Sequence, residues 1–246
     1  MPLVSVVVPM RNEAGNVRHV VEGISAALAD VSHEIVVVDD GSTDGTAETL
    51  AVLAAEMADL RVFHHAESAG QSAAIHTGVR AARSPIAATL DGDGQNPPSE
   101  LPRLVGPLLA EDASDRLGLV AGQRVGRKDP PGKRIASRLA NGLRRRLLND
   151  GTRDTGCGLK AFRRDAFLAL PYFDHMHRYL PALFTRDGWD VRLVDVSHAE
   201  RLSGRSNYGN LQRAVVGASD LLGVAWLIRR RKRATVMPEE TRNGTT

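Results

Sequence analysis

Aromatic residues are scarce in this chain, at 4% of its 246 positions, and cysteine is almost absent, with Cys157 alone. One thiol cannot make an internal disulfide framework, and its solitude fits a reducing compartment. No zinc-ligand spacing is present either. The dense basic blocks Arg144-Arg145-Arg146 and Arg229-Arg230-Arg231-Lys232-Arg233 have no aromatics interleaved with them. Stacking recognition of single strands is thereby disfavoured, and no nucleic-acid partner is expected. No apolar run approaches the roughly 20 residues that span a bilayer; the longest near the C-terminus is residues 221–228. No charged leader precedes the first apolar run, so no secretory signal is expected. Repeats and low-complexity segments are missing. After the first apolar run there is no Gly-x-Gly-x-x-Gly but Pro9-Met10-Arg11-Asn12-Glu13, and no Walker A sequence occurs anywhere.

What is present is alternation. Val4 to Pro9, residues 34–38, 61–64 and 86–90 read as short, nearly continuous apolar strands rich in β-branched residues. Between them, residues 16–29, 46–57 and 72–82 carry apolar residues at helical spacing. Buried strands alternating with helices imply an α/β fold with a mostly parallel sheet and helices on both faces. Further on, residues 100–109 read as a helix, 117–122 as a strand ending in Gln123-Arg124, 125–132 as a mobile loop, and 133–148 as a basic helix. A polar turn starts at Asp154 and runs through Lys160. Residues 163–170 then read as a helix and 191–196 as a last strand, with a boundary near Glu200. The net charge of +3 is modest, but the cations concentrate in the two blocks.

The polar stretch Asp91-Gly92-Asp93-Gly94-Gln95-Asn96-Pro97-Pro98 follows the fourth strand. Such residues build turns in any case. At the C-terminal end of a buried strand, however, they would bring Asp91, Asp93 and Gln95 to the sheet edge where ligands of open α/β folds collect. Oxygen ligands at that spacing suit Mg²⁺ or Mn²⁺ shared with substrate phosphates. An EF-hand is excluded, because counting from Asp91 puts Asn96 at its glycine and Pro102 at its glutamate. Counting from Asp40 puts Ala51 at the glutamate.

Four polar motifs thus end successive strands or follow them: Pro9-Met10-Arg11-Asn12-Glu13, Val38-Asp39-Asp40-Gly41-Ser42-Thr43-Asp44, Asp91-Gly92-Asp93-Gly94-Gln95 and Asp154-Thr155-Gly156-Cys157-Gly158. In this order they closely resemble the family 2 glycosyltransferases of GT-A fold, and within them the polyprenyl-phosphate glycosyltransferases, the group that contains dolichol-phosphate mannose synthase. The resemblance covers residues 3 to about 228 and implies a site. Pro9, Arg11, Glu13, Asp39 and Asp40 would bind the nucleotide, with Asp91 on the nucleotide side. Asp91, Asp93 and Gln95 would hold Mg²⁺ or Mn²⁺ and the diphosphate. Arg11 stands where an aromatic residue is common, which leaves guanine and uracil both open. Ser68 replaces a common Asn or Arg. Arg124, Lys133 and Ser137 match the positions that hold the acceptor phosphate. The segment 198–208 matches a switch segment whose Arg201 reaches phosphates.

The resemblance implies an inverting transfer of a hexose, mannose or glucose, from a nucleotide-diphosphate sugar to a polyprenyl phosphate such as dolichyl or undecaprenyl phosphate. Asp93 and Asp154 are its catalytic candidates, with Asp154 weighted toward orienting the acceptor, since a phosphate monoester is already anionic. Two rivals remain at this stage, a glycan-hydroxyl acceptor and a non-catalytic nucleotide-sugar binder. Residues 1–200 would form the catalytic domain, 201–233 the switch segment and an amphipathic basic helix facing a membrane, and 234–246 a disordered tail. A peripheral protein at the cytoplasmic membrane face is expected, with oligomeric state open. Arg144, Arg145 and Arg146 read as a solvated helix face, Cys157 as a packed small residue, and His64 and His65 as structural or solvent-facing.

Overall fold

The computed structural model describes residues 1–125, 144, 147, 148, 150–197 and 210–230, with backbone alone for 210–216. Its strands are β1 (Val4–Met10), β2 (His33–Asp39), β3 (Leu60–His64), β4 (Ile86–Thr89), β5 (Leu117–Arg124), β6 (Lys160–Arg163) and β7 (Asp190–Val196). The helices are α1 (Val17–Ala27), α2 (Thr46–Glu56), α3 (Gln71–Ala81), α4 (Leu101–Leu109), α5 (Arg164–Leu168), α6 (Leu180–Arg186) and α7 (Asn210–Arg229). Short 3₁₀ turns occupy Pro98–Glu100 and Met176–Arg178.

The strands form one sheet in the order β3-β2-β1-β4-β6-β5-β7. All pairings are parallel except those of β6, which runs against both β4 and β5. Because the pleat alternates side chains, Val6 and Val8 face one layer and Val7 the other. The first layer is built on α1, α2 and α4, where Ile24, Leu50, Leu53 and Leu104 are fully buried. The second is built on α3, α5, α6 and α7. There Phe162 stacks on Phe167 at 4.8 Å and meets Phe184 at 6.0 Å. Burial of each such side chain stabilises the fold by about 1.5–3 kcal/mol. The expected mostly parallel sheet with helices on both faces is therefore the observed architecture. Strand order reverses between β1 and β4, and that crevice faces the carboxyl ends of both strands, where ligands collect.

Three readings from sequence need correction. Lys160 does not close a polar turn but opens β6; this strand is four residues long and begins with a buried lysine, so it carries no strand periodicity. The helix expected over 163–170 is α5, which starts at Arg164 and stops at Leu168 because β6 holds Arg163. Arg144 is not on a solvated face: it is 7% exposed. It forms a buried ion pair with Asp150 and donates through Nη1 to the Thr152 carbonyl at 3.0 Å. A guanidinium satisfied in this way tolerates an interior position. The mobile loop expected over 125–132, the switch segment and the tail 234–246 lie outside the described residues, apart from Val125.

Candidate active site

At the ends of β1 and β2, two loops are laced together. Asn12 adopts a left-handed conformation (φ 56°), which asparagine tolerates. Its Oδ1 accepts the Thr43 N–H at 2.8 Å, and its own N–H donates to Ser42 Oγ at 2.9 Å. The Glu13 N–H donates to Thr46 Oγ1 at 2.9 Å, and Glu13 Oε2 accepts from Asn16 Nδ2 at 2.6 Å. The result leaves Arg11 exposed and Pro9 and Glu13 half-buried beside Asp39 and Asp40. Asp39 supports the turn, accepting the Ser42 N–H at 3.1 Å, and its second oxygen pairs with His64 Nδ1 at 3.1 Å.

Asp40, expected to bind the nucleotide, directs its carboxylate to the 65–70 loop. Oδ1 accepts from the Ala69 N–H (2.8 Å) and His65 Nδ1 (2.7 Å), while Oδ2 accepts from Ser68 Oγ (2.7 Å) and the Gly70 N–H (2.9 Å). Burial pushes this carboxyl up, but the Ala69, His65, Ser68 and Gly70 bonds together hold it below the usual carboxylate range. Asp40 therefore shapes the 65–70 loop that leads into α3. His65 is structural, as expected, since its Nε2 also lies 3.0 Å from Thr77 Oγ1.

Beyond β4, Asp91 sits with Oδ1 accepting from Gln71 Nε2 at 2.7 Å and Oδ2 from Asn96 Nδ2 at 2.8 Å. A Cβ on Gly158 would fall 2.2 Å from Asp91 Oδ2, so only glycine lets the 154–158 loop lie against this carboxylate. Thr89 Oγ1 fastens that loop by donating to the Gly158 carbonyl at 2.7 Å. Burial and then the Asp93 carboxylate push Asp91 above the usual range, against the pull of Lys160. Asp93 Oδ1 accepts the Gln95 N–H at 3.1 Å, and Asp93 and Gln95 keep partial exposure.

Among the described residues no three His, Cys, Asp or Glu side chains gather as a metal cage. The donor set nonetheless fits a hard cation that shares its shell with phosphates and water. The Asp93 carboxylate adds to the cost of ionising Asp91, and Asn96 Oδ1, buried next to Asp91, has no hydrogen-bond partner among the described residues.

The third part lies at the end of β5. Arg124 and Asp154 form a two-pronged pair, Nε to Oδ2 at 2.5 Å and Nη2 to Oδ1 at 2.9 Å. Asp154 is the first cause of a raised Arg124 pKa. Buried Gln123 staples the returning loop, its Oε1 accepting the N–H groups of Arg153 (2.8 Å) and Asp154 (3.0 Å). Arg124 and Lys160 each lie within electrostatic reach of both Asp91 and Asp154. The expected acceptor residues Lys133, Ser137 and Arg201 lie outside the described residues.

Several supporting residues were not singled out from sequence. Gln71 and Asn96 hold Asp91, Gln123 holds the Asp154 loop, and Lys160, 4% exposed, donates to the Cys157 carbonyl. Burial lowers the Lys160 pKa. His177 lies 2.7 Å from Ser72 Oγ beside Gln71, and burial followed by Lys160 holds its pKa well below the usual range. A lysine inside the run Leu159-Lys160-Ala161-Phe162 was the one available signal among these.

The match to Glycosyl transferase family 2 covers residues 5–170. Dodecaprenyl-phosphate galacturonate synthase of Rhizobium johnstonii is 34% identical over 235 residues, 93% of this chain and 68% of its own length. Undecaprenyl-phosphate 4-deoxy-4-formamido-L-arabinose transferase of Edwardsiella ictaluri is 36% identical over 210 residues, 84% of this chain and 63% of its own length. The chain thus spans about two thirds of the curated relatives it matches. Among solved structures, glucosyl-3-phosphoglycerate synthase of Mycobacterium tuberculosis, in complex with Mn²⁺, uridine-diphosphate-glucose and glycerol 3-phosphate, superposes with a TM-score of 0.66 at 22% identity. That match covers 92% of this chain and 80% of that one. A mannosyltransferase of Pyrobaculum calidifontis in complex with GDP-Man and Mn²⁺ gives 0.66 at 24%, covering 94% and 65%. These likenesses support the fold, and the sequence match decides the family: the chain belongs to the family 2 glycosyltransferases.

Proposed function

We propose that this chain transfers a sugar, with inversion, from a nucleotide-diphosphate donor to a polyprenyl phosphate at the cytoplasmic face of a membrane. The observation that carries the reading is a bipolar site. An acidic pole, Asp91 and Asp93, adjoins a basic pole, Arg124 aimed by Asp154. The names of the two relatives point to the same acceptor class. Among the described residues no helix is long and apolar enough to cross a membrane.

Pro9, Arg11, Glu13 and Asp39 would line the nucleotide end, with Asp40 fixing the neighbouring loop. Asp93, Gln95 and Asp91 would hold Mg²⁺ or Mn²⁺, which when bound supplies Lewis acidity to the leaving diphosphate. Arg124 uses two of its five N–H groups on Asp154, leaving three with no described protein acceptor for a phosphate oxygen. Lys133, Ser137 and Arg201 would complete that acceptor site. A phosphate monoester is an anionic nucleophile near neutral pH, so positioning and charge neutralisation matter more than base strength. Asp154, engaged with Arg124, is suited to orientation and not to taking up a proton. One-step displacement at the anomeric carbon inverts it without a covalent enzyme intermediate.

The test is a panel of radiolabelled nucleotide sugars with a short polyprenyl phosphate, in Mg²⁺, Mn²⁺ or chelator. A chloroform-extractable labelled product that disappears with chelator is expected. Activity confined to soluble glycans would overturn the acceptor assignment.

A further inference from the structure

The crevice beside Asp91 has a floor made of hydrogen-bond donors. Lys160 pairs with Thr89 across β4 and β6, and the pleat sends its side chain to the same face as Phe162, toward the layer that contains α3. It is 4% exposed and spends one of its three N–H groups on the Cys157 carbonyl. The head of α3 meets the turn Met176–Arg178 through the hydroxyl of Ser72. That Oγ, on a residue 1% exposed, accepts the His177 N–H at 3.4 Å and lies 2.7 Å from His177 Nδ1. Gln71, one residue back, holds Asp91.

The hydroxyl settles which ring nitrogen carries the proton. Ser72 Oγ finds no other acceptor among the described residues, so its O–H donates to Nδ1, and burial followed by the Lys160 charge keeps the ring neutral. The remaining proton is on Nε2. That N–H has no hydrogen-bond partner among the described residues, and His177 is only half-buried. A fixed, neutral donor left open in this way suits a ligand oxygen.

Position says which oxygen. In a one-step displacement the anomeric carbon lies between the diphosphate, at the Asp91 pole, and the acceptor phosphate, at the Arg124 pole. Lys160 lies within electrostatic reach of both Asp91 and Arg124, and His177 within reach of Lys160. The hexose therefore has to rest against this floor. Sugar hydroxyls accept hydrogen bonds without adding charge, which matches a neutral imidazole and an ammonium already compensated by Asp91 and Asp154.

We propose that His177 is a specificity-determining residue for the transferred hexose: its Nε2–H donates to one of the sugar hydroxyls, with Lys160 as a second donor on the same floor. This role rests on the nucleotide-sugar half of the reading above and not on the acceptor. The full chain with Mn²⁺ and no acceptor is titrated calorimetrically with UDP- and GDP-hexoses, with their monodeoxy forms, and with UDP and GDP alone. His177→Asn keeps an oxygen near Nδ1 to accept from Ser72 but has nothing at Nε2. It should weaken the preferred nucleotide hexose about tenfold and leave UDP or GDP binding unchanged. One monodeoxy form should bind the parent chain about tenfold more weakly and lose nothing further in the variant. In the parent chain, nitrogen-15 spectra should show the His177 proton on Nε2, and that signal should move with the nucleotide hexose but not with UDP or GDP. A proton on Nδ1, an equal loss of the bare nucleotide in His177→Asn, or a loss that adds in full for every deoxy form overturns the proposal; the spectra decide should the variant not fold. Binding of no nucleotide hexose at all overturns it together with the donor reading. Donor results as expected, with no lipid phosphate glycosylated, would sink the acceptor reading and leave the role of His177 standing.

Discussion

Gly158→Ala is the most direct test of how the donor site is built. The added Cβ would lie 2.2 Å from Asp91 Oδ2 and 2.3 Å from Oδ1, whereas ordinary contact begins at 3.4 Å. The carboxylate must retreat by about 1 Å, because the backbone of the 154–158 loop is fastened by Thr89 and Lys160. That retreat takes Asp91 off Gln71 and Asn96, bonds of 2.7 and 2.8 Å that each stabilise a charged acceptor by about 1.5–3 kcal/mol. We expect a loss of about 4 kcal/mol, seen in calorimetry as a Tm lower by about 8–16 °C. A misplacement of about 1 Å at the donor diphosphate should also cut kcat/KM about 100-fold. The clash needs both partners, so in an Asp91→Ala background the added methyl should cost no more than about 1 kcal/mol. A Gly158→Ala protein that melts and turns over like the parent would refute this account of the site. So would a penalty that persists undiminished without Asp91.

Three further outcomes are expected. Arg124→Ala should raise the acceptor KM and lower kcat/KM about 100-fold, with nucleotide affinity unchanged in titration calorimetry. Asp40→Asn should destabilise the protein by about 2–3 kcal/mol at neutral pH. Because Asp40 is held below its ordinary value of 3.8, its stabilisation is complete above that pH and fades as pH falls through the lower folded-state pKa. Tm of the variant should therefore fall less steeply on the acid side than that of the parent. Arg144→Met should cost about 3–5 kcal/mol in denaturant unfolding by leaving Asp150 buried and unpaired, and adding Asp150→Leu should recover most of it.

The parts of the fold that were legible from sequence are those where burial on both faces produces continuous β-branched runs. β1, β2 and β4 fall within a residue or two of their expected positions because Val6, Val7, Val36 and Ala88 have no solvent face to encode. Strand β6 was not legible, since four residues bounded by Lys160 and Arg163 carry no alternation. Helix α6 was missed for the opposite reason: Leu180 to Phe184 are all buried, so no period shows. In the site, Asp91, Asp93, Arg124 and Asp154 could be named from their motifs. Their support could not, because Gln71, Asn96 and Gln123 act across 20, 5 and 31 positions of sequence. Asp40 shows the limit most clearly: its motif carries the nucleotide expectation, but nothing in it encodes the four bonds to the 65–70 loop.

The reversed direction of β6 has an evolutionary consequence. Because β5 and β6 are antiparallel neighbours, the chain leaves the sheet after Arg124 and re-enters it at Lys160 on the same edge. Topologically, residues 125–159 are an insertion in a hairpin, tied at its return by Asp154 and Gly158. Doubling the length of such an insertion costs only about 0.6 kcal/mol in closure entropy. Descendants of this scaffold can therefore exchange the segment that includes Lys133 and Ser137 without disturbing β1, β2 or β4. On the proposed function, acceptor preference is then free to drift while the nucleotide end stays as it is.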